Sequence, residues 1–150
     1  MIHSLVIKPF HPAQQQEVRA LILAGLEERW GALDPARNPD LNDIATSYVQ
    51  ADFLVALLDD RIVGCGACIP RAPGVGEIAR MSVATDMRRH GIGKAILQQL
   101  RERAYAAGIR RLILETTATW HDAILFYQRH GFTITHEQEG DIYFVLDLTN

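Results

Sequence analysis

The sequence predicts a mixed α/β domain, and three observations carry that prediction. Apolar runs of strand length alternate with segments of helical periodicity, in the order strand, helix, helix, three strands, helix, strand, helix, two strands. Residues 76–83, 93–107 and 111–117 read together as one strand–helix–strand unit. Its first strand enters its helix through Arg88-Arg89-His90-Gly91-Ile92-Gly93-Lys94, a turn with two glycines and three flanking cations.

Leu5-Val6-Ile7 reads as the first strand, stopped by Lys8-Pro9. From about Pro12 the pattern is helical, with Val18, Leu21, Ile22, Gly25 and Leu26 on one stripe. Residues 31–43 are rich in Pro, Asp, Asn and Gly and read as a long loop, either a surface crossover or a binding segment. A short helix to Tyr48 follows, with Ile44 and Tyr48 inward. Phe53–Leu58 is almost continuously apolar, as a strand covered on both faces would be. Asp59-Asp60-Arg61 turns the chain, and Ile62–Ile69 returns antiparallel. Pro70–Gly74 reads as a loop into the strand that ends at Val83. The helix after Gly93 keeps Ile92, Ile96, Leu100 and Ala104 on one face, and Gly108 stands where a C′ glycine ends a helix. Leu112 and Leu114 alternate with Ile113, Glu115 and Thr117 along the next strand. Residues 119–130 are helical, with Ala123, Phe126 and Tyr127 on one face. Thr133–Glu137 and Ile142–Leu148 close the chain as a hairpin.

Gly91 and Gly93 let the backbone approach a ligand without a Cβ in the way. The first amides of the helix lack intrahelical partners, and the helix dipole is positive there. A phosphate or pyrophosphate suits that place, with charge from Arg88, Arg89 and Lys94. A tight turn with solvated basic residues has the same glycine spacing, so the turn alone leaves both readings open.

At 150 residues one domain, 1–150, is expected, large enough for a proper core. The 15 Lys and Arg against 18 Asp and Glu give a net charge of −3. No general basic field exists, so neither nucleic acid nor an anionic membrane is an expected partner. The N-terminus MIHSLVIKPF is too short in apolar residues for a signal sequence, and no run reaches membrane-spanning length. A cytoplasmic location follows as the default.

Cys65 and Cys68 form a C-x-x-C, which invites a redox or zinc reading. On a strand, a separation of three puts them on opposite faces with Cα atoms roughly 10 Å apart, too far for a disulfide. No second pair and no matched histidines accompany them, and His3, His11, His90, His130 and His136 show no ligand spacing. Buried free thiols and no metal are expected.

With this order established, the motifs resemble the GNAT superfamily of acyl-CoA-dependent N-acyltransferases over nearly the whole chain. The family's pyrophosphate loop, Arg/Gln-x-x-Gly-x-Gly/Ala, is matched by Arg88-Arg89-His90-Gly91-Ile92-Gly93, and Glu77–Val83 is similar to the strand before it. Ala123-Ile124-Leu125-Phe126-Tyr127-Gln128-Arg129-His130-Gly131-Phe132 matches the family's A-x-x-(F/L)-Y-x-x-x-G-F run. The resemblance implies a GNAT-like fold, a central six- to seven-stranded mixed sheet with helices on both faces. It also implies a V-shaped split between the strands at 76–83 and 111–117. Pantetheine would lie there along Met81, Ser82 and Val83, and residues 88–94 would hold the pyrophosphate. Acetyl-CoA is the implied co-substrate.

Acyl transfer to an amine has three requirements. The amine must lose a proton, since a lysine-like amine has a pKa near 10.4. The oxyanion needs a donor, and the departing thiolate benefits from an acid. By the resemblance, Tyr127 is the acid and a main-chain N–H near Met81 the oxyanion donor. Glu77 is the base, through water, with Glu115 as rival. One departure stands out: where many members carry an Asn facing the cofactor, this chain has Trp120, followed by His121. The acceptor stays open between a small amine, an amino acid and a protein lysine or N-terminus, and so does the assembly, a homodimer included. The carboxylates of residues 27–43 and 137–141 lean toward a cationic amine. Two other readings are a non-catalytic acyl-CoA-sensing module and a generic nucleotide-binding domain, the latter weakened by the absence of both glycine-rich nucleotide fingerprints.

Overall fold

In the computed structural model, which describes residues 4–149, seven strands form one sheet. They are β1 (Leu5–Pro9), β2 (Asp52–Leu58), β3 (Arg61–Ala72), β4 (Val75–Val83), β5 (Arg111–Thr117), β6 (Thr133–Gln138) and β7 (Asp141–Asp147), in the spatial order β1-β2-β3-β4-β5-β7-β6. His3 lies outside the described residues. The first four strands run antiparallel, with the helix-bearing residues 10–51 between β1 and β2 and short turns joining β2, β3 and β4. The β2–β3 turn places Asp59 and Asp60 at φ 49° and 72°, the conformation a two-residue hairpin turn needs. Only β4 and β5 pair in parallel, because the helix between them carries the chain back across the sheet.

Helices cover both faces. On one side α1 (Gln15–Trp30) and α2 (Ile44–Ser47) bury Val18, Ile22 and Ile44 against Phe53, Val55, Cys65 and Ala67. On the other, α3 (Ile92–Ala106) and α4 (His121–Arg129) pack with Ile96, Leu100, Leu112, Leu114, Phe132 and Phe144. The two sides split the cysteines as strand alternation requires: Cys65 belongs to the α1 side and Cys68 to the α3 side, both buried and free. Burial pushes the thiols up to about 12 and about 11, so neither is a nucleophile at neutral pH. Gly66 lets α3 lie close on the sheet, since a Cβ there would collide with the Met81 sulfur and stand 3.0 Å from Ile96.

Three segments differ from the sequence reading. β3 does not end at Ile69 but continues to Ala72, with Pro70 opposite Gly76 and a register shift just after it. Proline lacks a donor, so the ladder accommodates it at an irregularity rather than ending there. Residues 31–43 are not a plain loop: they hold two 3₁₀ turns, Pro35–Arg37 and Pro39–Asn42, each opened by a proline, and Leu41 is fully buried. The last helix begins at His121 rather than Thr119, after a turn in which the Trp120 N–H donates to the Thr117 carbonyl. Gly108, at φ 93°, ends α3 as its position predicted.

Candidate active site

β4 and β5 pair at only three positions, Val75–Arg111, Gly76–Leu112 and Glu77–Ile113. Beyond Glu77 they part, so residues 78–83 carry no strand partner on their β5 side. This is the split that the resemblance implied. Its cause is visible on the other edge of β4. Cys65 pairs with Ser82 and Ala67 with Ala79, so Arg80 and Met81 together oppose the single residue Gly66. Such a bulge bends and twists its strand. Arg80 takes φ 55° to make it, a left-handed conformation that costs a non-glycine residue roughly 1 kcal/mol or more.

Side-chain bonds hold Arg80 in that conformation. Its Nη2 and Nε donate to the two Asp40 oxygens at 2.7 and 3.0 Å, and Nη2 also reaches Asn38 Oδ1 at 3.3 Å. Tyr48 donates its hydroxyl to Asp40 and accepts from Arg80 Nε at 3.2 Å. Burial works against the Asp40 charge, but the bonds from Tyr48 and Arg80 outweigh it and hold the carboxyl below its usual range. Burial, and then Asp40 itself, push the Tyr48 hydroxyl up to about 12. The network thus ties residues 38–48 to the part of β4 that lines the split. Met81 packs toward α3, while Ser82 faces Gly25 of α1.

After Val83 the chain forms the turn Thr85–Met87 and then the glycine motif, with Arg89 at φ 67° and Gly91 at φ 79°. The Ala95 N–H is the first in α3 to find a helical carbonyl, that of Gly91 at 3.0 Å. The amides of Ile92, Gly93 and Lys94 point out of the helix mouth, and no side chain caps them. A Cβ at Gly93 would stand 3.6 Å from Phe126 and Val83, in ordinary van der Waals contact. Arg88 is engaged: Glu28 of α1 accepts from both Arg88 and Thr85, and those bonds, Arg88 first, hold the Glu28 carboxyl below its usual range. Arg89 and His90 are exposed, and Lys94 opens onto a groove of about 310 Å³ that Arg101 and His130 also line. Burial, and then Lys94, Arg101 and Arg129, lower the His130 pKa.

Tyr127 of α4 is buried among Phe126, Phe132 and Phe144, with ring centroids 5.2–5.9 Å apart. Burial pushes its hydroxyl well above the usual tyrosine range, against a smaller opposing pull from Arg29. That hydroxyl makes no protein hydrogen bond among the described residues, and none of their enclosed polar side-chain atoms lacks a partner, so it opens to accessible space. Arg29 itself crosses from α1 to the start of α4. It lies 4.4 Å from the Trp120 ring centroid and donates to both Asp122 oxygens at 3.0 and 2.8 Å. Trp30 meets Trp120 at 5.4 Å between centroids.

The two carboxylates read as candidate bases stand apart. Glu77 is the last β4 residue paired with β5, at the closed end of the split, and its Oε1 accepts from Arg71 Nε at 2.6 Å. Four residues of strand, roughly 13 Å, separate it from Met81. Glu115 lies two positions past the last parallel pair, exposed, opposite Tyr143 of β7. Its carboxylate beside Tyr143 raises that hydroxyl's pKa. The sequence reading gave Arg29 and Trp30 no part. It read Tyr48 only as inward, Asp40 only as one of the carboxylates of residues 27–43 and Arg80 only as part of the strand Glu77–Val83. Each acquires its role here from a partner distant in sequence.

The model of the Acetyltransferase (GNAT) family matches residues 16–132. The chain is 34% identical over 119 residues to an IAA acetyltransferase of Azospirillum brasilense, covering 78% of each protein. Its fold is that of a GNAT-family acetyltransferase from Staphylococcus aureus, with a TM-score of 0.89 at 20% identity over 97% of this chain and 100% of the other. It is also that of the PaiA N-acetyltransferase from Thermoplasma acidophilum in complex with coenzyme A, with a TM-score of 0.87 at 15% identity and the same coverage. A split mixed sheet, an uncapped helix mouth behind a glycine turn and a match over most of the chain lead to one assignment: this protein belongs to the GNAT acetyltransferase family, the acyl-CoA-dependent N-acyltransferases.

Proposed function

We propose that residues 1–150 work as one N-acetyltransferase domain that moves an acetyl group from acetyl-CoA to a primary amine by direct attack in a ternary complex. The observation that carries this reading is the unpaired β5-facing edge of residues 78–83, which leads into the uncapped amides of α3. A pantetheine arm laid along Met81, Ser82 and Val83 replaces the missing strand partner. The pyrophosphate meets the amides of residues 89–94, with Arg89 and Lys94 adding charge and Arg88 holding the loop to Glu28. His90, Gly91 and Ile92 contribute backbone. The bulge turns main-chain donors at Met81 toward the thioester carbonyl.

Tyr127 serves the leaving group. Its raised pKa keeps it protonated, and the thiolate's ordinary pKa is about 8.5. The tyrosine is therefore the weaker acid, and a hydrogen bond to the developing thiolate is its main contribution. The amine loses its proton to a carboxylate through water. Between the two candidates, the position of Glu115 in the open part of the split supports it over Glu77, which Arg71 engages.

Mixing acetyl-CoA with a panel of amines and following CoA-thiol release tests the reading. Release with at least one amine is expected. Acetyl-CoA binding without release across amino acids, polyamines and peptides would instead mark an acyl-CoA-sensing module. No helix among the described residues is long and apolar enough to cross a membrane.

A further inference from the structure

A cavity of about 480 Å³ opens between the C-terminal half of α1 and residues 32–38, lined by Leu26, Trp30, Leu33, Asp34, Arg37 and Asn38 among others. Its volume lies in the range of small-ligand sites. Its two ends touch the two walls of the split: Asn38 accepts from Arg80 of β4, and Trp30 packs on Trp120 beyond β5. Its wall is mixed, with Leu26, Trp30 and Leu33 beside the polar Asp34, Arg37 and Asn38. Trp30 is 53% exposed and Leu33 36%, and neither belongs to either buried core.

The charges around it do not form the acidic surface that the sequence of this segment suggests. Glu28 is bound by Arg88 and Thr85, and Asp40 by Arg80 and Tyr48. Asp34 accepts from the Ala36 N–H, and Asp43 from the Thr46 N–H and hydroxyl. Glu27, the remaining carboxylate of residues 27–43, does not line the cavity. Arg37 does line it and forms no ion pair among the described residues. A polyamine would find an aromatic ring, one carboxylate already bonded to a backbone amide, and a guanidinium in no ion pair among the described residues. An amine with an apolar body and a carboxylate would find partners for both.

We infer that the acceptor is an apolar α-amino acid. Its side chain lies against Trp30, Leu33 and Leu26, its carboxylate meets Arg37, and its amine is directed past Asn38 toward the β4 bulge. This rests on the acetyltransferase reading above. In the reaction the neutral amine's lone pair attacks the thioester carbonyl carbon. The N–C bond forms, the C–S bond breaks with its electron pair leaving on sulfur, and the proton lost by nitrogen balances the thiolate as CoA thiol.

The test compares acetyl transfer to phenylalanine, leucine and tryptophan with transfer to phenylalanine amide, spermidine and a lysine-containing peptide. The free amino acids are expected to be favoured over the amide about tenfold or more in kcat/KM, the scale of a charge-assisted hydrogen bond. Arg37→Gln should raise KM for phenylalanine to a similar degree while leaving the phenylalanine amide rate and the acetyl-CoA KM unchanged. Trp30→Ala should raise KM for phenylalanine and tryptophan. Equal use of phenylalanine and its amide by the unmodified protein, or an Arg37→Gln variant that loses both equally, overturns the inference. Thiol release with spermidine or the peptide but not with the amino acids overturns it and leaves the acetyltransferase reading intact. Release with no amine, while acetyl-CoA binds, overturns both.

Discussion

Arg80 holds both oxygens of Asp40, at 2.7 and 3.0 Å, from a backbone at φ 55°. The two residues are 40 apart in sequence, and their pairing joins the segment after α1 to the bulge that opens the sheet. Arginine suits this place because its planar fork engages two oxygens at once, which a lysine ammonium cannot do.

Breaking the pair should loosen the bulge. Asp40→Asn leaves a partly buried guanidinium without its counter-charge, and a loss of about 1–3 kcal/mol is expected. Urea unfolding measures that loss. Steady-state kinetics should show kcat falling by about tenfold, equivalent to about 1.4 kcal/mol of lost donor alignment, with the acetyl-CoA KM little changed. An Asp40→Asn variant with unchanged kcat would separate the network from the chemistry.

The same pair predicts an acid-sensitive step. The Asp40 carboxyl is lowered in the folded state, so its contribution is present above its ordinary pKa of about 3.9 and is lost as pH falls through the folded value. Glu28, Asp86, Asp122 and Asp147 are lowered too, so the total pH dependence is shared. The stability difference between the unmodified protein and Asp40→Asn isolates the Asp40 part. It should be constant from pH 7 to about 5 and shrink below about 4.

Tyr127→Phe removes a hydroxyl but keeps the ring that packs on Phe132 and Phe144. Stability should change little, and kcat should fall by about a hundredfold, the scale of one well-placed donor or acid. The affinity for acetyl-CoA, read by calorimetry, should stay the same. Unchanged turnover would remove Tyr127 from the mechanism.

Glu77→Gln and Glu115→Gln divide the base role. The acidic limb of the kcat/KM pH profile should disappear in Glu115→Gln and persist in Glu77→Gln. Glu77→Gln should instead weaken the Arg71 contact at the closed end of the split, by well under 1 kcal/mol for so accessible a pair. Loss of the limb in Glu77→Gln alone would restore Glu77 as the base.

Neither cysteine should react with a thiol reagent in the native protein. Burial raises both thiols, and the strand sets them on opposite sides of the sheet. Labelling should appear only at the denaturant concentration that unfolds the chain, and fast labelling in buffer would contradict the assignment of both to the core.

Element order, helix faces and the glycine turn were legible in the sequence because each is written in neighbouring residues. Ile92, Ile96, Leu100 and Ala104 declare one face of α3 by their spacing, and all four are buried. Gly91 declares the helix mouth by needing φ 79°. The alternation along Arg111–Thr117 gave both the strand and its buried side. The single proline in β3 misled because a donor is missing locally, while pairing on both sides carries the strand past it.

The chemical surroundings of the site were decided by tertiary structure. Glu28 and Arg88 are 60 residues apart, Arg29 and Asp122 are 93 apart, and Asp40 and Arg80 are 40 apart. In the sequence the acids of residues 27–43 look like a reservoir of negative charge for a cationic acceptor. In the fold four of them are bound to arginines, hydroxyls or backbone amides, and the cavity is lined by Asp34, held by a backbone amide, and by Arg37, which forms no ion pair among the described residues. Periodicity is a local property and survives in a string of letters. Whether a charge is spent or free depends on what the folded chain brings within about 3 Å of it, and only the three-dimensional structure holds that information.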